Sequence, residues 1–163
     1  MKKSLCILLS LLTLFALAAC NNGQTPPAEA AYVFEISGQT LAINASAEPI
    51  LAALGEPRSY DESPSCAFEG LDKVYVYAGF QLQTYSKNGK DYIRSISLTD
   101  DSVATPEGIA IGATADQVKQ AYGSPASESA SAITYRYQTD CLLQFLLRDG
   151  KVTNVYYQLD IQT

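Results

Sequence analysis

Two segments of the chain repeat one another without gaps, and this repetition constrains the fold more than any other feature. Residues 43–57 read INASAEPILAALGEP, and residues 111–125 read IGATADQVKQAYGSP. Six of the fifteen aligned positions are identical, and several others are chemically similar. Self-similarity of this kind is typical of a duplicated structural unit.

The residues that follow the two segments also correspond. In each case strand-like runs meet at a turn signal, Asn88-Gly89-Lys90 in one and Asp149-Gly150-Lys151 in the other. We therefore predict a tandem duplication, with one repeat over residues 31–103 and the second over residues 104–163. Neither repeat is large enough to form an extensive core alone, so residues 31–163 are expected to form one compact unit.

Each repeat is predicted to open with a short helix. Ser46 and Thr114 stand where an N-cap oxygen would accept a hydrogen bond from a first-turn amide. Thr114 and Gln117 have the spacing of a capping box. Gly55 and Gly123 follow the last turn, where glycine favours helix termination.

The strands of the second repeat alternate apolar and polar residues, which allows their register to be predicted. A two-residue loop at Asp149-Gly150 would place Leu143 on the same face as polar residues of the next strand. A three-residue loop ending in a glycine bulge would instead group Leu143 and Phe145 with Val155 and Tyr157. The apolar pattern favours this second arrangement.

Further strands are expected before the first helix and within both repeats, which gives about eight strands in all. Tyr32–Ile36 and Thr40–Ile43 are predicted to form a hairpin around Ser37-Gly38. The expected class is α+β: two tandem helix-plus-antiparallel-hairpin repeats that share one sheet, with both helices on one face.

The first twenty residues have the order of a bacterial lipoprotein signal peptide. Lys2 and Lys3 precede an apolar run from Leu5 to Ala19, which is too short for a stable membrane span. Leu17-Ala18-Ala19-Cys20 resembles a lipobox, in which the cysteine thiol becomes lipidated and the peptide is cut before it. Cys20 is thus the predicted lipidation site, and an ordinary secretory signal is the alternative.

Composition and charge restrict the environment and the partners. Residues 21–30 lack apolar periodicity and are predicted to form a flexible tether from Cys20. The 11 Lys and Arg residues against 17 Asp and Glu residues give a net charge of −6, which argues against a nucleic-acid partner. The expected location is the cell envelope, lipid-anchored on the extracytoplasmic side, at either a monoderm cell surface or an outer membrane.

The repeat resembles the fold of β-lactamase inhibitory protein and the SmpA/OmlA outer-membrane lipoproteins. The second copy carries the motif of the latter from Gly112 through Thr114 and Val118 to Gly123 and Pro125. The first copy departs from it, with Asn44 in place of the glycine and Ile50 in place of the valine. Because superfamily members bind proteins, the resemblance implies a protein-binding module, although the matched residues are caps and core positions.

Two cysteines, Cys66 and Cys141, lie in the region predicted to fold. Export to an oxidising compartment would permit a disulfide between them, which would join the two repeats. The alternative is two thiols that never meet, because free cysteine is common in protein cores.

Several tyrosines and aliphatic residues are predicted to lie on the sheet face away from the helices. The candidate binding face consists of Tyr85, Ile93, Leu142, Leu146 and Tyr156. A sheet face exposed to water is normally mostly polar, whereas tyrosine suits recognition because it offers a large contact area at low entropic cost. The alternative is that these residues are scattered strand formers.

No motif for catalysis, a cofactor or a metal is expected. The chain has no histidine, which removes the usual zinc ligand sets and every histidine-dependent triad. Asp100, Asp101 and Glu107 lack the ligand spacing of a calcium loop. The leading hypothesis is a non-catalytic lipoprotein that binds a protein or peptide. An envelope hydrolase with a carboxylate pair, drawn for example from Glu62, Glu69 and Asp72, and a purely structural component are the alternatives.

Overall fold

The computed structural model describes residues 32–161. Their order is β1 (Phe34–Ile36), β2 (Gln39–Leu41), α1 (Ala47–Leu54), β3 (Ser59–Pro64), β4 (Glu69–Val76), β5 (Phe80–Lys87), β6 (Lys90–Leu98), α2 (Ala115–Tyr122), β7 (Ser127–Glu128), β8 (Ala132–Tyr137), β9 (Cys141–Arg148) and β10 (Lys151–Leu159). The predicted signal peptide, the lipidation site Cys20 and the tether lie outside the described residues. Within residues 32–161, no helix has the length and apolar character needed to cross a bilayer.

The predicted fold class was wrong, because the protein is predominantly β. Strands make up 49% of the structure and helices only 12%. Each helix has eight residues, or about two turns. The helices therefore contribute far fewer residues to the structure than the strands do. Two of the strands, β3 and β7, had not been predicted.

One antiparallel sheet of eight strands organises the molecule, in the order β3-β4-β5-β6-β10-β9-β8-β7. The strands that follow α1 form one half of this sheet, and the strands that follow α2 form the other. The halves meet where β6 pairs with β10, from Leu98 opposite Val155 to Ser95 opposite Gln158. β1 and β2 form a separate two-stranded sheet.

The sequence predicted correctly which residues of the β9–β10 hairpin share a face, but it predicted the wrong turn length. Leu143 and Phe145 pair with Tyr157 and Val155, as the apolar pattern requires. The turn, however, contains only two residues, since Arg148 pairs directly with Lys151. Both turn residues have positive φ, 52° at Asp149 and 73° at Gly150, which matches the hairpin turn suited to twisted strands. A bulge at Thr153, between Val152 and Asn154, then shifts the register by one residue.

The first-half hairpin uses the same combination. Lys87 pairs with Lys90 across a two-residue turn, and Arg94 is the extra residue between Ile93 and Ser95. This bulge removes Arg94 from the apolar side of the sheet. The sequence pattern had placed a charged residue there.

Both helices are attached to the sheet by similar contacts. The backbone of Ala45 pairs with Ile93 of β6, and that of Ala113 pairs with Val152 of β10. At the other end, the Tyr77 hydroxyl donates to the Gly55 carbonyl at 3.3 Å. The Tyr135 hydroxyl donates to the Gly123 carbonyl at 3.0 Å.

The two helix N-termini differ. The Thr114 side chain accepts from the Gln117 amide, and the Gln117 side chain accepts from the Thr114 amide, which confirms the predicted capping box. Ser46 makes no side-chain hydrogen bond to α1, so its predicted capping role was wrong.

A single apolar core lies on one side of the sheet. It combines the inward-facing strand residues with residues of both helices and of the β1–β2 hairpin. Fully buried members include Leu82, Ile96, Leu143, Phe145 and Tyr157. Burial on this scale drives folding through the hydrophobic effect, and it leaves the opposite side of the sheet with the polar half of the alternation.

Candidate binding face and adjoining cavity

Two cross-strand rows of side chains define what we call the outer face, the side of the sheet opposite the core. Following the registers from β4 to β8, the first row contains Val76, Gln81, Ser97, Tyr156, Gln144 and Thr134, and the second contains Val74, Gln83, Ser95, Gln158, Leu142 and Arg136. Amide and hydroxyl side chains dominate the centre. All except the exposed Arg136 are half-buried, and none belongs to the core cluster.

Polar contacts between strands order the outer face. The Ser95 hydroxyl donates to Gln83 Oε1 at 3.3 Å, and Gln144 Nε2 donates to Thr134 Oγ1 at 3.2 Å. Each of these glutamines retains further hydrogen-bonding capacity, because an amide side chain has two donors and two acceptor positions. The face thus combines fixed donors and acceptors with the apolar surfaces of Tyr156 and Leu142.

Three of the five residues predicted for the binding face lie together on this side of the sheet. Leu142 and Tyr156 stand in the two rows, and Leu146 follows in the next row, opposite Asn154. Ile93 does not lie there: it is completely buried in the core, because the bulge at Arg94 comes after it and leaves Ile93 opposite Thr84 on the core side.

Tyr85 is the fifth predicted residue, and its side chain is 6% exposed. The register places it on the outer side, but the ring of Phe68 covers it at a centroid distance of 4.2 Å. Its hydroxyl donates to Asn44 Oδ1 at 3.0 Å, and burial raises the pKa of that hydroxyl. Tyr85 therefore supports a neighbouring cavity and presents little surface to a partner.

Arg94 links Phe68 to the sheet. Its guanidinium lies 5.6 Å from the centre of the Phe68 ring, and Arg94 Nη1 is 2.9 Å from Asp72 Oδ2. The bulge aims this side chain outward, where it pairs with a carboxylate and an aromatic face simultaneously. These contacts hold the loop between β3 and β4 against the sheet.

A cavity of about 900 Å³ lies at the end of the outer face, between the tip of the β5–β6 hairpin and the turn before β9. Its walls include Asn44, Phe68, Glu69, Tyr85, Tyr92 and Asp140. A second cavity of about 300 Å³, which Gln83, Leu142 and Gln158 line, shares Leu159 with the first. The two cavities therefore adjoin at this end of the outer face, and clefts are the usual shape of a binding site.

The two cysteines of the described region are not bonded to each other. Cys66 is exposed in the loop after β3, and Cys141 is buried at the start of β9. Burial raises the pKa of the Cys141 thiol, and the nearby Asp140 carboxylate raises it further. The disulfide considered from the sequence is thus not formed, since one thiol faces solvent while the other packs in the core.

Four of the carboxylates considered for catalysis or cation binding are engaged separately. Glu62 accepts a hydrogen bond from Tyr60, and Asp72 pairs with Arg94. Asp100 accepts from Ser102, and Glu107 accepts from Tyr122. Across residues 32–161, no group of three or more Cys, Asp or Glu residues is arranged to hold a metal ion.

Sequence reasoning missed Phe68 and Asn44, both of which shape the cavity. Asn44 has φ of 66° and Gly112, at the matching repeat position, has φ of 94°. Asparagine in place of that glycine was therefore a usable signal, because asparagine tolerates positive φ better than most residues. Phe68 lies in an irregular stretch without periodicity, so no pattern indicated its contact with Tyr85.

Comparisons with known proteins do not identify this surface. No family model, no curated protein and no solved structure matches the chain.

Proposed function

We propose that this chain is an exported lipoprotein, anchored to a membrane through Cys20, that binds a protein or peptide through its outer face without catalysing a reaction. The observation that carries the proposal is the pair of residue rows across six strands, in which Tyr156 and Leu142 lie among fixed amides and hydroxyls. Within residues 32–161, the helices and the β1–β2 hairpin contribute to the core on the other side.

The chemistry of the outer face supports recognition of a polypeptide. Glutamine, serine and threonine side chains can pair with the donors and acceptors of a peptide backbone, while tyrosine supplies rigid contact area. Protein interfaces commonly combine an aromatic or aliphatic centre with a polar surround. Two ion pairs, Arg94 with Asp72 and Arg136 with Asp160, neutralise much of the charge at its margin.

The sequence supports the membrane anchor. The basic start, the apolar run and the small residues before Cys20 have the order that lipoprotein processing requires. Because the chain is acidic, an anionic lipid surface would not attract it, and the lipid chains would provide the attachment. The resemblance to envelope lipoproteins and to a protein inhibitor agrees with this location and with a binding role.

The binding face can be tested by affinity capture from envelope extract of the source cells, followed by a binding measurement with the purified partner. Changing Tyr156→Ala together with Leu142→Ala should weaken partner binding by about tenfold or more, since central aromatic and aliphatic contacts dominate interfaces. Tyr60→Ala is the matched control, because Tyr60 is 48% exposed on the edge strand β3, away from the outer face. Unchanged binding by the double variant, or an equal loss in the control, would refute the face assignment.

The anchor can be tested independently. Cys20→Ser should move the full chain from the membrane fraction to the soluble fraction and abolish incorporation of a labelled fatty acid. Cys6→Ser removes a cysteine from the predicted signal peptide and should change neither result. Retention of the label in Cys20→Ser would contradict lipidation at this residue.

A further inference from the structure

The edge strand β3 leaves part of its backbone without a strand partner. It is the first strand in the order of the main sheet, so within residues 32–161 it pairs with β4 alone. Just beyond β3, the Ser65 amide donates to the Gly70 carbonyl at 3.0 Å and continues the β3–β4 register. Hydrogen-bonding direction alternates along an antiparallel strand, so the odd-numbered residues of β3 bond to β4. Tyr60 and Glu62 therefore direct their amides and carbonyls outward.

The side chains along this edge alternate in character over a short distance. Tyr60 is the one large apolar side chain that is exposed in the described part of the chain, and its ring lies 5.0 Å from that of Tyr75. Arg58, immediately before β3, and Asp61 are both exposed, and neither forms an ion pair within residues 32–161. The edge thus has an aromatic centre, with a cation before it and the carboxylates of Asp61 and Glu62 after it.

An antiparallel pairing of this edge with a second copy can be centred on few residues. Centring it on Asp61 or Glu62 would place two carboxylates directly opposite each other, which is destabilising. The registers on either side would need an amide from Pro64, which has none, or from Arg58, whose amide already bonds to β4 at 2.7 Å. The register centred on Tyr60 avoids these conflicts.

In the register centred on Tyr60, the two strands complement each other. The Tyr60 backbones would exchange two hydrogen bonds, and their rings would lie side by side. Ser59 would stand opposite Asp61 of the second copy, and Arg58 would lie beside the carboxylates of that copy. The order of charges along one strand therefore matches the reversed order along the other.

The symmetry of this pairing agrees with membrane anchorage. Directly opposite residues of paired strands lie on the same side of a sheet, so the two outer faces would lie on one side and the two cores on the other. The chain enters the described region at Tyr32, which packs on the core side against Tyr122, Tyr135 and Tyr137. Both tethers would therefore start on the same side of the combined sheet, as attachment to a single membrane requires.

From these observations we propose that two copies of this chain pair through β3, in the register centred on Tyr60, and so join their outer faces into one surface. This inference rests on the proposed function: so small an interface would have a dissociation constant of about 0.1–1 mM in solution, and anchoring raises the local concentration of the copies. Chains dispersed in an extract would not pair, so Tyr60→Ala remains the control for the outer face.

Disulfide trapping in membranes tests the register. Full chains that carry Cys66→Ser, with the buried Cys141 as the remaining thiol of residues 32–161, would have Ser59→Cys in one tagged copy and Asp61→Cys in the other. Their Cα atoms would lie about 4.5 Å apart, within disulfide range, so copper–phenanthroline oxidation should link the two copies. The matched control pairs Asp61→Cys with Ser63→Cys, which would lie about 13 Å apart along the strands and should give at least about fivefold less product.

Charge reversal then tests whether the occupant is a second copy. Arg58→Glu should lower the yield of the cross-link between positions 59 and 61 about fivefold, because it would place two negative charges together. Adding Glu62→Arg to the same chain restores complementary charges and should recover the yield. Cys20→Ser, which releases the chain from the membrane, should lower it about tenfold. Near-ultraviolet circular dichroism shows whether each variant is folded.

Equal yields from the two cysteine pairs, or no recovery with Glu62→Arg, would overturn the inference. Cross-linking of the engineered cysteines to a different protein would also overturn it and assign the edge to that protein. If Tyr156 and Leu142 are needed for partner capture but no register-specific link forms, the outer-face function stands and the pairing does not. If the link forms but partner capture does not need those two residues, the pairing stands and the outer-face assignment fails.

Discussion

The two halves of the sheet share an order of elements but place their aromatic residues differently. In the half that follows α2, Tyr122, Tyr135 and Phe145 pack together on the core side, and Tyr32 contacts Tyr122 at a centroid distance of 5.3 Å. In the half that follows α1, the cluster of Phe68, Tyr85 and Tyr92 lies on the outer side. The α2 half thus places its cluster in the core, whereas the α1 half, which also buries Tyr77 and Phe80 in the core, has a second cluster that lines the cavity.

The two edge strands of the sheet, β3 and β7, also differ in length and in the loops that follow them. β3 has six residues, all exposed, and it is followed by the loop that carries Cys66 and Phe68. β7 has two residues, and the turn after it is closed by hydrogen bonds among Ser129, Ser131 and Ala132. The α1 half thus carries the longer exposed edge strand and most of the lining of the larger cavity, whereas Tyr156 and Leu142 of the proposed binding face lie in the α2 half. Loops and exposed edges commonly carry function on a rigid scaffold.

The largest expected effect tests whether the α2 half holds the core together. Phe145→Ala removes a fully buried ring that contacts Tyr122 at 5.2 Å, and it should lower the free energy of unfolding by about 3–5 kcal/mol. The corresponding position of the α1 half is Thr84, which is also fully buried but whose hydroxyl has no hydrogen-bond partner among residues 32–161.

Thr84→Ala is therefore the matched control for Phe145→Ala. Loss of its buried methyl group is offset by removal of the unpaired hydroxyl, so stability should change by less than about 1 kcal/mol. Urea unfolding followed by tyrosine fluorescence measures both variants. Equal losses of unfolding free energy in Phe145→Ala and Thr84→Ala would contradict the prediction that the α2 half contributes more to the stability of the core.

A smaller effect compares the two helix N-termini. Thr114→Ala breaks the capping box of α2 and should lower the free energy of unfolding by about 1 kcal/mol. Ser46→Ala makes the same chemical change before α1, where no side-chain hydrogen bond exists, and should have little effect. If Ser46→Ala lowers the free energy of unfolding as much as Thr114→Ala does, the prediction is contradicted, because the Ser46 side chain would then cap α1 in solution.

Local features of this kind were the most predictable from sequence. The capping box at Thr114 follows from residue spacing alone, because its hydrogen bonds join residues within one turn. The grouping of Leu143 with Tyr157 follows from the two-residue alternation of strands. The position of the extra residue in this hairpin could not be predicted from the alternation. An extra residue in the turn and a bulge at Thr153 would both place Leu143 and Tyr157 on the same face.

Features that depend on distant contacts were not predictable. β3, with the sequence SYDESP, has neither alternation nor strong strand propensity, and it is a strand because it pairs with β4. Ile93 changes faces because Arg94 bulges, and Tyr85 is covered because the Phe68 loop folds back over it. The candidate site was therefore predicted in part: Leu142, Leu146 and Tyr156 came from the alternation, but the cavity beside them did not.

The smallest predicted effect concerns a charge arrangement of the α1 half. Asp91 lies 2.7 Å from Lys73 Nζ and accepts from Ser86 Oγ at 2.6 Å. Burial acts to raise the pKa of Asp91, but the hydrogen bonds from Lys73 and Ser86 outweigh it and hold the pKa below its ordinary value of 3.8. Because the folded-state pKa is lowered, the stabilisation is complete above that ordinary value and is lost as the pH falls through the folded-state pKa.

Asp91→Asn should therefore be less stable than the wild type at neutral pH, by less than the Thr114→Ala loss, and the difference should disappear in strong acid. Urea unfolding at a series of pH values measures this difference directly. Asp116→Asn provides the control in the α2 half, where a 96% exposed carboxylate lies 3.6 Å from Lys119 and contributes little. If the stability difference between Asp91→Asn and the wild type persists unchanged in strong acid, the effect comes from packing. The prediction that the Asp91 ion pair stabilises the α1 half more than the Asp116 ion pair stabilises the α2 half would then be wrong.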